Sequence, residues 1–183
     1  MKLSSIHHIF LIATIAFLGL QSCTDDPNRL DFSGSPAPFD TTQAVSSTTL
    51  PGNTTVYVIE ESDSPFSVVS RDVITVRFTA RTDNGQIFDG SFIENTPRTI
   101  TQFPNLTPNP IQSRACRQRV CLLPKGLRRG LIGMVEGERR TIVVPPSQGY
   151  TDDFVSTTGR SSENGVSVQG KTLIYDVELV NIL

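Results

Sequence analysis

Tryptophan is absent, and the only two histidines, His7 and His8, stand at the very start of the 183-residue chain. Cysteine is scarce, at three residues. Zinc sites generally draw on four Cys or His ligands, so a metal centre is discounted, and no motif calls for a cofactor. Charge of either sign is also in short supply: 16 basic side chains face 18 acidic ones. No basic run or face dominates, which argues against a nucleic-acid binder. Long apolar runs are missing too. The longest, "IFLIATIAFLGL" at residues 9–20, has 12 residues, whereas a spanning helix needs about 20. What the chain does have is glycine and proline, at 13 and 12 residues, with recurrent Ser/Thr-rich segments. That composition favours β-structure joined by loops over a helical bundle.

The short apolar run follows Lys2 and fits the core of an export signal. It ends in "LGLQSC", with Leu20 three residues before Cys23. This resembles a bacterial lipobox, in which cleavage before the cysteine is followed by its lipidation. Gln21 and Ser22 depart from the commonest small-residue pattern, and ordinary secretory cleavage near Ser22 is the alternative. The expectation is a lipoprotein signal peptide at 1–22 and an exported protein tied to a membrane through lipid on Cys23, facing the periplasm or the cell surface. Residues 23–54 are rich in Pro, Ser, Thr and Asp and read as a flexible tether. Local packing of Leu30, Phe32 and Phe39 on the domain is the other reading. Cys116 and Cys121, in "CRQRVC", would form an even pair in an oxidising compartment, where a local disulfide is expected; a reduced pair is the alternative. With Arg114, Arg117 and Arg119 they suggest a pinned segment suited to acidic or polar partners.

Periodic patterning begins at residue 55. "TVYVIEE" reads as a short strand. In "VITVRFTA" (73–80), Ile74, Val76, Phe78 and Ala80 share one face, while Thr75, Arg77 and Thr79 share the other. Asn84-Gly85 is a strong hairpin signal. If these two residues form the turn, Thr82 pairs with Ile87, Arg81 with Phe88 and Ala80 with Asp89. Opposed residues share a face, so Asp89 in "IFDGSF" points to the apolar side. A bulge, which Gly90 permits, would bring Phe88 there as well. "LPKGLRRGLIGM" (123–134) predicts a short amphipathic helix: Leu127, Leu131 and Met134 face inward, Arg128 and Arg129 outward. "ERRTIVVPP" predicts a strand stopped by proline. "KTLIYDVELVNI" predicts the clearest strand, with Leu173, Tyr175, Val177 and Leu179 on one face and Asp176 and Glu178 on the other. The sum is an α+β domain over 55–183, a curved antiparallel sheet wrapped around one short helix.

In order, "VITVRFTARTDNGQIFDGSF", "GLRRGLIGMVEGERRTIVVPPSQGY" and "GKTLIYDVELVNI" resemble the FKBP-type peptidyl-prolyl cis-trans isomerases. The resemblance covers most of the chain from about residue 55 and implies the same sheet-around-helix fold. It also implies a set of pocket residues. Asp89, Tyr150 and Phe88 would carry catalysis, and Phe78, Leu127, Tyr175, Leu123, Val143 and Leu173 would line the substrate site, with Leu122 the alternative to Leu123. Three departures stand out. Phe78 lacks the hydroxyl a tyrosine would offer, and Leu127 replaces a floor residue that is often tryptophan. The loop after Tyr150 is polar, with Val166 and Val168 in place of the family's apolar stretch. The implied activity is isomerisation of X–Pro bonds in proline-containing polypeptides, as in the folding of exported proteins, by a monomer without cofactor. The barrier is about 18–20 kcal/mol because the amide is resonance-stabilised; an apolar pocket that binds the twisted amide better than either planar isomer lowers it. Two other readings stay open: a peptide-binding or chaperone-like lipoprotein with weak or no isomerase activity, and a surface lipoprotein that uses the domain only for attachment.

Overall fold

The computed structural model describes residues 31–93, 96–97, 100–101, 123–150 and 166–183. Cys23, Cys116, Cys121, Leu122 and the three arginines between 114 and 119 lie outside these residues. Among the described residues no helix is long and apolar enough to cross a membrane.

The strand with the clearest alternation, β9 (Leu173–Ile182), lies at the centre. It pairs antiparallel with β8 (Arg139–Val144) on one side and with β3 (Ile74–Thr82) on the other. Beyond β8 come β2 (Thr54–Glu60) and then β1 (Ser46–Leu50). The far edge of β3 is shared by β4 (Ile87–Gly90) and the short β7 (Ile100–Thr101). The sheet therefore runs β1-β2-β8-β9-β3-β4, every pairing antiparallel, while β5 (Phe92–Ile93) and β6 (Thr96–Pro97) form a separate small hairpin.

One helix, α1 (Lys125–Leu131), packs on the inner face. Leu127 and Leu131, with Met134 just beyond, enter a core that also holds Ile74, Val76, Phe78, Ala80, Ile142, Val144, Leu173, Tyr175, Val177 and Leu179. The inward sides of β3, β9 and the helix are those expected from periodicity. Two glycines let the helix lie close to β8. A Cβ on Gly126 would stand 2.6 Å from Val144 Cγ1, and one on Gly130 would stand 2.7 Å from Ile142 Cγ2. Such separations are below van der Waals contact, so neither position takes a side chain without repacking. The last helical carbonyls need partners, and Arg140 supplies them. Its guanidinium donates to the carbonyls of Gly130, Ile132 and Gly133 while pairing with Glu138 at 2.5 Å.

Two expectations change on the outer face. The segment read as a tether through residue 54 joins the domain earlier, since β1 adds a strand to the sheet and residues 36–39 lie against β3 and β9. Arg81 Nη2 donates to the Pro36 carbonyl, and the Phe39 N–H donates to Asp176 Oδ2. Asp176, expected on the polar side, is indeed on that side but buried. It pairs with Arg81 at 2.5 Å and accepts from Thr141 Oγ1 at 2.7 Å. The physical reason is that a polar face need not be a wet one: here the chain itself covers it, and the charges pair beneath.

Candidate active site

The β3–β4 hairpin carries Phe88 and Asp89. Its turn differs from the expected two-residue type. Gly85 alone takes positive φ, at +83°, and Asn84 does not. Gly85 N–H donates to the Thr82 carbonyl and Thr82 N–H donates to the Gln86 carbonyl. This is a three-residue loop in which Gly85 supplies the left-handed step. The pairing becomes Arg81 with Ile87, a bulge falls at Phe88, and Ala80 meets Asp89. The longer loop and the bulge cancel, so Asp89 stays opposite Ala80 and points inward. Phe88 joins it, and both are fully buried, at 0% exposure.

Ser91 fixes this strand end. Its backbone N–H donates to the Phe78 carbonyl at 2.9 Å, and its hydroxyl accepts from the Phe78 N–H at 2.8 Å. Gly90 passes close to the same carbonyl; a Cβ there would stand 3.1 Å from it. Asp89 Oδ1 accepts the Gly90 N–H at 2.8 Å, which holds the carboxylate in one orientation.

Tyr175 comes from β9, two strands away, and meets Phe88 edge to face with ring centroids 6.0 Å apart. Tyr150 follows the 3-10 turn Pro146–Gln148 after β8. Both phenol hydroxyls are buried without a well-formed hydrogen-bond partner, although they lie close enough to influence each other. Burial pushes the Tyr150 phenol far above its usual range, and the Asp89 carboxylate adds to the rise. Burial likewise raises Tyr175, with Tyr150 and Asp89 contributing in the same direction. Asp89 is thus near enough for its charge to act on both tyrosines, and both stay protonated donors at any ordinary pH. Leu127 and Leu123 are buried in the same apolar cluster, as are Phe78, Leu173, Val166 and Val168.

Val143 does not belong to the set. Ile142 and Val144 are the inward-facing buried residues of that strand; Val143 is only half-buried and pairs with Ile174 on the opposite face. Side chains alternate along a strand, so the residues beside Leu173 and Tyr175 are Val144 and Ile142. Arg128, expected outside, is buried at 5% exposure, and its charge acts on Tyr150. The signal was its position on the helical wheel, on the flank of the Leu127–Leu131 stripe rather than opposite it.

The family model described as FKBP-type peptidyl-prolyl cis-trans isomerase matches residues 65–180, more than half of the chain. The chain belongs to that family. An FK506-binding protein of Neisseria meningitidis serogroup B is 30% identical over 127 residues, covering 68% of this chain and 94% of that protein. FK506-binding protein 2B of Rhizopus delemar is 31% identical, and the match covers 62% of this chain and 43% of that one. Peptidyl-prolyl cis-trans isomerase FKBP2 of Mus musculus is 30% identical, with 61% and 62% covered. The chain thus spans about two fifths to three fifths of the length of these last two relatives. FkpA from Escherichia coli superposes with a TM-score of 0.53 at 20% identity, covering 74% of this chain and 51% of that one. AtFKBP13 gives 0.53 at 19%, with 75% and 99% covered. At such identities these two establish the fold, the antiparallel sheet around one helix described above.

Proposed function

We propose that the chain is a peptidyl-prolyl cis-trans isomerase acting on exported polypeptides, anchored to a membrane by lipid on Cys23. Family membership supports the reaction. The observation that carries the site is the meeting of a buried carboxylate, Asp89, with two buried phenols whose hydroxyls have no partner, inside an otherwise apolar cluster.

The reaction breaks no covalent bond, so it needs no nucleophile. A prolyl ring resting against Phe88, Leu127 and Tyr175 leaves water behind, and the charge-separated resonance form of its amide weakens. The Tyr150 hydroxyl donates to a peptide carbonyl, and no well-formed hydrogen bond holds it elsewhere. The field of Asp89 acts on the twisted amide, whose charge distribution differs from that of either planar isomer. Contacts stronger in the twisted state than in the planar one lower the barrier.

The test is proline isomerisation in a short X–Pro peptide, followed by exchange NMR with the purified protein. Acceleration above the uncatalysed rate is expected; the uncatalysed rate alone would reject the enzyme. One observation favours a second reading, a peptide-holding module with weak turnover: Leu127 and Phe78 supply neither the indole nor the hydroxyl found in much of the family. Peptide binding without acceleration would select it. The anchor is checked by Cys23→Ser, which should move the protein from the membrane to the soluble fraction.

A further inference from the structure

Arg128 is the anomaly among the arginines. Each of the other described arginines that is at least half-buried has a partner. Arg81 holds Asp176 and the Pro36 carbonyl. Arg140 holds Glu138 and three carbonyls at and just beyond the helix C-terminus. Arg77 pairs with Glu178, and Arg139 pairs with Glu60 and lies over the Phe39 ring. Arg129 donates to the Pro51 carbonyl and Gln148 Oε1. Arg128 is as buried as Arg81 and more buried than the rest, yet among the described residues it alone of these has neither an ion pair nor a side-chain hydrogen bond; its Nε is buried without a partner, as are those of Arg77 and Arg139. A guanidinium stays charged in proteins, and leaving a buried charge uncompensated is unfavourable. Burial pulls its pKa down, and the neutral Tyr150 phenol beside it carries no charge to offset this.

The position of the group says what would compensate it. Arg128 follows Leu127 on α1 and stands by Tyr150, the most exposed of the five polar and aromatic site residues at 7%. Asp89 acts on Tyr150 with the opposite sign. The site is therefore polarised: a cation by the helix and a carboxylate by the hairpin, with the phenol between. A carboxylate brought in by the substrate would find guanidinium N–H donors that no described group engages, one of them, Nε, shielded from water, where a charged hydrogen bond is strong.

We propose that Arg128 selects substrate by charge, so that the site favours prolyl bonds flanked by aspartate or glutamate; this rests on the isomerase reading. The experiment compares Glu with Gln, first at the residue before the proline and then at the residue after it, in otherwise identical peptides. Both kcat/KM and peptide binding are measured, the latter by fluorescence anisotropy. Wild-type protein should prefer Glu by roughly tenfold or more at one of the two positions. Arg128→Met should bring the Glu/Gln ratio to about one whatever its absolute rate, and Arg128→Lys should retain part of the preference. Arg128→Met should also melt higher than wild type, since it removes an unpaired buried charge. Equal rates and equal binding for Glu and Gln at both positions would overturn the inference and leave the isomerase intact, as would a preference that survives Arg128→Met. If no peptide is accelerated, the isomerase reading fails, and the binding ratio alone then decides for or against Arg128.

Discussion

Tyr150→Phe should make the protein more stable and less active. The hydroxyl is buried without a partner, and burying a hydroxyl without a hydrogen bond costs about 1–3 kcal/mol in proteins. The ring keeps its place in the apolar cluster when the oxygen goes, so the packing term is nearly unchanged. A gain of about 1 kcal/mol raises Tm by roughly 2–4 °C in a domain of this size. If the same hydroxyl donates to the bound peptide, its loss removes a neutral hydrogen bond worth about 0.5–1.5 kcal/mol, a drop of roughly two- to tenfold in kcat/KM. Calorimetry and the exchange assay measure the two effects separately. Tyr175→Phe is the comparator. It should show a similar rise in Tm while keeping the edge-to-face contact with Phe88; the two hydroxyls lie close enough to interact with each other, so the changes in the double variant should depart from the simple sum. A fall in Tm for Tyr150→Phe would mean that the hydroxyl is satisfied in the folded protein. A rise in Tm with unchanged kinetics would remove Tyr150 from the reaction.

Asp89→Asn keeps an acceptor for the Gly90 N–H and removes the charge; kcat/KM should fall about tenfold, and unchanged kinetics would take Asp89 out of the site. Gly126→Ala brings a methyl within 2.6 Å of Val144 Cγ1 and 2.7 Å of Thr54 Oγ1. It should cost about 1–3 kcal/mol in a denaturant melt and lower activity as well, because Leu127 and Arg128 move with the helix. Arg81→Met leaves Asp176 buried without its counter-ion and should cost about 3–5 kcal/mol, whereas Arg81→Met with Asp176→Leu should recover most of it. The pH dependence has a definite sign. Burial raises the Asp176 pKa above its usual 3.8, so the folded state binds that proton more tightly than the unfolded one, and the associated stability is lost as pH rises through the folded pKa. Without Arg81 the rise is larger, so the defect of Arg81→Met should be greatest above the folded pKa of Asp176 and shrink as the pH falls through it; a defect that grows on acidification would contradict this.

How far the sequence reaches is clearest in the hairpin. Asp89 was expected opposite Ala80, and it is there, but by a different route. A three-residue loop shifts the pairing one way and the bulge at Phe88 shifts it back. Alternation constrained the outcome because a one-residue slip would have put the whole β4 pattern on the wrong face; it did not constrain the turn. Val143 fails for a related reason. Patterning makes 141–144 a strand, yet "TIVV" is apolar at three consecutive positions, so its parity is set only by the register with β9, which pairs Val144 with Leu173 and Ile142 with Tyr175. The burial of the outer face is not legible in the sequence because alternation separates polar from apolar but is silent on what covers either. Nothing local to Asp176 announces Phe39, 137 residues away. Arg128 combines both difficulties. A seven-residue helix lies close against β8 through Gly126 and Gly130, and on so short an element packed so tightly the margin of the apolar stripe is buried with its centre. An arginine on that margin goes in with the leucines. A sequence rule that sends arginines outward fails here because the position is decided by the helix-to-strand approach. The two glycines that permit that approach are therefore what place an unpaired guanidinium beside Tyr150.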